Sequence, residues 1–130
     1  MKKSLVLSAL MAFSMVVAFA VVLAAAQKKD ADYTGTLVDS KCYLAHGLAT
    51  NDHGPNKNCG TLCLKGGTPG GLLTSDKKFY PLLAPSLALA PYVGQEIRVS
   101  GKMVSGSIDV SKVEVNQNGN WQEVKLTPSV

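Results

Sequence analysis

From Ile97 to Met103 apolar and polar positions alternate one for one, with Ile97, Val99, Gly101 and Met103 set against Arg98, Ser100 and Lys102. Successive side chains of a strand point to opposite faces, so this run predicts one buried and one wetted face. Ile108 and Val110 continue the alternation. Val113 and Val115 resume it one residue out of phase, which predicts a bulge near Ser111-Lys112. Asn118-Gly119 suits a tight hairpin turn before a last strand over Trp121 to Leu126. Upstream, Tyr33 to Asp39 is rich in β-formers and predicts a first strand. Leu72-Leu73-Thr74 and Phe79 to Leu83 flank Ser75-Asp76-Lys77-Lys78 and predict a hairpin. Pro85 to Tyr92 predicts a short apolar helix with proline near its first turn, ended early by Pro91.

Between Ser40 and Gly71 the rhythm breaks down. Apolar periodicity is lost, and five glycines crowd the stretch from Gly60 to Gly71. A helical turn around Lys57 to Lys65, closed by Gly66-Gly67, is the one regular element expected there. The resulting order is strand, long insertion, two strands, short helix, two long strands and a final strand. That order predicts a mainly β fold: a small OB-like barrel of five to six strands with one short helix. The insertion, residues 40–71, then falls between strands 1 and 2, where such barrels commonly bind ligands. A β-sandwich or an open meander is the alternative.

The N-terminal pattern is of another kind. Lys2 and Lys3 precede an uncharged, mostly apolar run of 22 residues, Leu5 to Ala26, which ends in Ala24-Ala25-Ala26. A positive start, an apolar run and small residues at its end predict a signal peptide over 1–26. Residues 27–32 then form a linker and 33–130 a single domain. The run is also long enough to span a bilayer, so membrane attachment is expected only if it is not cleaved. The protein is therefore expected to be exported, periplasmic or secreted.

The chain carries 13 Lys and Arg against 9 Asp and Glu. Removing the segment with Lys2 and Lys3 leaves eleven against nine, or +2. Such a near-neutral domain is no nucleic-acid binder by charge, and its partner is expected to be a protein or a small molecule.

All three cysteines and both histidines lie in the insertion, as Cys42, His46, His53, Cys59 and Cys63, with Asp39 and Asp52 beside them in sequence. Two chemistries compete for them. In the first, Cys42, Cys59, Cys63 and one imidazole supply the four ligands of a Cys₃His centre. His53 is favoured and His46 is the alternative. The Cys-x₃-Cys pair, if helical, projects both sulfurs from one face, and sulfur with imidazole suits zinc or copper(I). Such a centre requires the three sulfurs within about 4 Å of one another. In the second, an oxidising compartment favours a disulfide. Cys42–Cys59 would close a loop of about 17 residues worth ~3 kcal/mol and leave one thiol over. Cys59 and Cys63 are poor partners for each other, because Cβ atoms at i, i+4 stand ~5–6 Å apart.

Other signals fade on inspection. Gly66-Gly67-Thr68-Pro69-Gly70-Gly71 has the composition of a phosphate loop but lacks its Gly-Lys-Ser/Thr ending. No convergent acid–base set is visible, so a thiol-dependent enzyme is only a third reading. The aromatics are expected to serve packing.

The stretch Gly35-Thr36-Leu37-Val38-Asp39-Ser40-Lys41-Cys42-Tyr43-Leu44, followed by His53, Cys59, Cys63, Gly66-Gly67-Thr68-Pro69 and Leu72-Leu73, resembles a group of small exported bacterial proteins. Tyr92 to Gly101 resembles the start of the fourth strand in small bacterial OB-like barrels. His53 stands six residues before Cys59, farther than in that group. The resemblance implies fold and export and says little of activity. The combined expectation is an exported, non-enzymatic OB-like domain that holds a zinc or copper ion, with a disulfide-stapled binding or structural module as the alternative.

Overall fold

The computed structural model describes residues 29–127. In chain order its elements are β1 (Ala31–Asp39), α1 (Ser40–His46), α2 (Cys59–Lys65), β2 (Gly70–Leu73), β3 (Phe79–Leu83), α3 (Ser86–Leu89), a 3₁₀ turn (Ala90–Tyr92), β4 (Glu96–Val104), β5 (Ser107–Gln117) and β6 (Asn120–Glu123). The segment expected to direct export, 1–26, lies outside the described residues. Among the described residues no helix is long and apolar enough to cross a membrane.

The fold is mainly β. β1 pairs antiparallel with β2 and with β4, β2 with β3, and β4 with β5. A short parallel pairing of β3 with β5, through Leu82–Ile108 and Leu83–Asp109, joins the remaining edges. Five strands thus run in a ring, β1–β2–β3–β5–β4–β1. Its closure leaves fewer unpaired backbone groups than an open sheet would. β6 pairs with the later part of β5.

The alternation read from the sequence is the alternation of burial. Ile97, Val99 and Gly101 are buried while Arg98, Ser100 and Lys102 are not. The phase slip has its expected cause. Ser100 pairs with Lys112 but Gly101 pairs with Val110, so Ser111 is the extra residue of a bulge. Only that extra residue lets Ile108 and Val113, one even and one odd position, both turn inward with no exposed surface.

The last strand is shorter than expected. Regular pairing ends at Glu123, although Val124 is buried and donates from its N–H to the Val113 carbonyl at 2.9 Å. At the hairpin before it, Asn118 and Gly119 both have positive φ, 54° and 87°. Two left-handed residues in a row are what a two-residue turn between right-twisted strands needs.

Leu37, Leu72, Ile97, Val99, Ile108, Val113 and Val115 form the centre of the core. Leu64 of α2, Leu89 of α3 and Val93 complete it, so the helices take part in the packing. α2 lies against the 3₁₀ turn, α3 and β1. Gly60 permits that approach: a Cβ there would stand 2.6 Å from Cγ1 of Val93.

Segment 40–71 is more ordered than its composition predicts, because α1 was not foreseen. The helix has no apolar stripe to betray it. It is made by its ends: Asp39 accepts from the Lys41 N–H at 2.9 Å, and Gly47 closes the last turn with φ of 69°. An aspartate N-cap and a left-handed glycine C-cap satisfy orphan backbone groups of so short a helix. Ser40 also donates to the Pro69 carbonyl at 3.2 Å, tying the start of α1 to the chain just before β2.

Candidate metal centre

α1 leaves β1 without a linker, so Cys42 sits within one helical turn of Asp39, the last residue of the strand. Cys59 opens α2 and Cys63 lies a turn further along it. The loop between the helices, which carries His53, is pinned at several points. His53 and Asn56 exchange backbone hydrogen bonds of 2.9 and 3.1 Å. Asp52 accepts from the Asn58 N–H at 2.8 Å and pairs with Lys57 at 3.1 Å. Asn51 accepts at its side chain from the Thr61 N–H at 2.8 Å and at its carbonyl from the Gly60 N–H at 3.0 Å. Asn51 thus does the capping that Asn58, at the N-cap position with φ of 53°, does not.

The imidazole of His53 is only 8 % exposed, and its Nε2 lies 2.8 Å from the Thr50 carbonyl oxygen. A carbonyl can only accept, so Nε2 is the donor in that bond and Nδ1 is the ring nitrogen left for a metal. Metal-binding histidines are commonly oriented in this way.

Two triads of ligand atoms result. Cys42, His53 and Cys59 lie within 4.8 Å of one another, and so do Asp39, Cys42 and Cys63. For comparison, sulfurs on a tetrahedral ion with bonds of ~2.3 Å stand ~3.8 Å apart. Of the four residues expected at one point, Cys42, His53 and Cys59 come together, and Cys63 falls in with Asp39 instead. Cys42 is common to both triads. Cys59 and Cys63 leave the same face of α2 one turn apart, and the nearer end of that turn meets His53 while the farther meets Asp39. His46, the alternative ligand, is exposed on the last turn of α1 and belongs to neither triad. All three cysteines are free thiols.

No family model, curated protein or solved structure matches this chain.

The electrostatics of the cluster centre on Asp39, the residue whose place sequence reasoning missed. Its carboxylate is 1 % exposed. Oδ1 accepts from the Lys41 N–H, whereas Oδ2 has no hydrogen-bond partner among the described residues. The carboxylate lies beside the Cys63 thiol and favours its protonated form. With burial added, this pushes Cys63 up to about 12. Cys42 is also raised, first by burial and then by Asp39. A cation replacing those thiol protons would meet an environment already short of positive charge. The one legible signal for Asp39 was its double identity, an N-cap residue three positions before a cysteine.

Asp52 has a different employment. Its hydrogen bonds to the Asn58 N–H and to Lys57 hold its carboxyl below the usual range, and it belongs to neither triad. A separate cleft of about 360 Å³, lined by Thr34, Gly35, Leu73, Thr74, Lys77 and Glu96 among others, includes none of the cysteines or histidines.

Proposed function

We propose that the chain is an exported, non-enzymatic OB-like barrel that holds a soft metal ion, zinc or copper(I), between α1 and α2. The strand ring β1–β2–β3–β5–β4–β1, with α3 between the third and fourth strands, supports the OB-like assignment. On that assignment the segment carrying α1 and α2 is an insertion between strands 1 and 2. Export rests on the charged start and apolar run at 1–26, and kinship with small exported bacterial proteins rests on the motif from Gly35 to Leu73. The ligand set is Cys42, His53 and Cys59, with Cys63 as the further sulfur.

One observation carries this reading: a buried imidazole, oriented by the Thr50 carbonyl, lies within 4.8 Å of two free thiols. Packing alone gives no reason to desolvate a histidine beside two cysteines in a domain of this size. The metal would tie two short helices and their loop to the end of β1, and either fix that segment or be carried by it.

Elemental analysis of freshly purified protein, combined with thiol counting, tests it. Bound zinc or copper with three reactive thiols released by a chelator is expected. Metal-free protein with one reactive thiol would overturn it in favour of a disulfide-stapled module. The geometry gives that outcome a definite form, because Cys42 lies within 4.8 Å of each of the other sulfurs.

A further inference from the structure

We propose that the centre is binuclear: one zinc ion is held by Cys42, His53 and Cys59, a second by Asp39, Cys42 and Cys63, and the Cys42 sulfur bridges the two. This rests on the metal-binding reading above and extends it to stoichiometry, metal identity and a fifth ligand. The argument begins with Asp39. Its side chain is almost wholly buried, and its Oδ2 is one of two buried side-chain oxygens without a partner among the described residues. No ion pair among the described residues involves it. An anion removed from water needs compensation by a proton, a cation or hydrogen bonds. Oδ1 has the Lys41 N–H, Oδ2 has no partner among the described residues, and a carboxylate oxygen lies within 4.8 Å of the Cys42 and Cys63 sulfurs.

A single ion on three sulfurs and His53 would leave that oxygen unused. It would also require Cys59 and Cys63 to approach one another, whereas they fall in separate triads. Two ions satisfy both constraints. Each takes three protein ligands, Cys42 serves each as a shared thiolate, and a fourth position on each ion stays open for solvent or a partner's ligand. The second triad also narrows the metal. A carboxylate oxygen is a hard donor that suits zinc(II), whereas copper(I) prefers sulfur throughout. Loading with two dications balances the charge of three thiolates and one carboxylate, among them the buried Asp39.

Zinc(II) titration of the metal-free, reduced protein followed by native mass spectrometry provides the test, with Asp39→Asn as the decisive variant. Asparagine caps helices as well as aspartate does, so α1 keeps its Lys41 bond while the anionic ligand is removed. Two zinc ions per wild-type chain are expected, and one per chain in Asp39→Asn and in Cys63→Ser. Replacing zinc by cobalt(II) should give a two-cobalt form whose electron-paramagnetic signal is weaker per ion than that of the one-cobalt variants, because a bridging thiolate couples the spins. One zinc in the wild type overturns the binuclear centre and leaves the metal-binding function standing. Two in both wild type and Asp39→Asn removes Asp39 as a ligand and likewise overturns it. No zinc at all overturns the binuclear zinc centre, and failure of the reduced protein to bind copper(I) as well overturns the metal-binding reading.

Discussion

The side-chain oxygen of Asn51 accepts from both the backbone N–H of Thr61, at 2.8 Å, and its hydroxyl, at 3.0 Å. Through this pair a residue of the loop caps the helix that carries Cys59 and Cys63. Asn51→Ala should cost about 1–2 kcal/mol of stability, the usual loss for a helix cap. It should also weaken zinc binding about 10-fold or more without removing a ligand, as losses in supporting contacts do. Chemical denaturation of the metal-free protein and competition with a chromophoric chelator measure the two effects separately.

His53 and His46 offer an internal control. His53→Ala removes a buried, oriented imidazole and should lower metal affinity by more than the ~100-fold that marks loss of a supporting residue. His46→Ala should leave affinity within about 2-fold, since that side chain is exposed and outside both triads. Equal effects of the two substitutions in a chelator competition would sink the assignment of His53.

Away from the centre, Glu114 on β5 joins two cations. Its carboxylate meets Lys112 at 3.0 Å and Arg98 at 2.8 Å, and Arg98 in turn lies over the Trp121 ring of β6, 4.7 Å from its centroid. The Lys112 and Arg98 contacts hold the Glu114 carboxyl below its ordinary value of 4.5. A lowered folded value means the pair stabilises the fold above that ordinary value, and the contribution fades as pH falls through the lowered one. Glu114→Gln should therefore lower the urea midpoint at pH 7, and the difference from wild type should shrink on acidification. A gap that widened at acid pH would contradict the sign.

Gly60 tests how α2 is seated. In an exposed helix, Gly→Ala stabilises by about 1 kcal/mol. Here the added Cβ would meet Val93 Cγ1 at 2.6 Å, so Gly60→Ala should destabilise instead. Val93→Ala should be destabilising alone, yet the double variant should be less destabilised than the two single losses combined predict. Thermal melts of all four proteins close that cycle.

Much of this was legible along the chain. β4, β5 and the bulge at Ser111 follow from alternation and its slip, because a half-buried strand writes its two faces into every second residue. The turn at Asn118-Gly119 and the helix after Pro85 follow from backbone preferences of single residues. α1 escaped notice since nothing periodic marks it. Its evidence is two capping residues, Asp39 and Gly47, at either end of a stretch with exposed Lys41, Leu44 and His46.

The sequence by itself determined which chemistry was present: three thiols and two imidazoles crowded into one insertion, next to a strand that ends in an aspartate. Residue type and local spacing carry that much. Only the tertiary structure decided how they were shared out, turning His46 to solvent, His53 inward against the Thr50 carbonyl, and Cys63 toward Asp39. Such choices depend on how α2 packs against Val93 and on how the loop is tied by Asn51. Those contacts join residues far apart in the chain, and no local pattern encodes the distances between them.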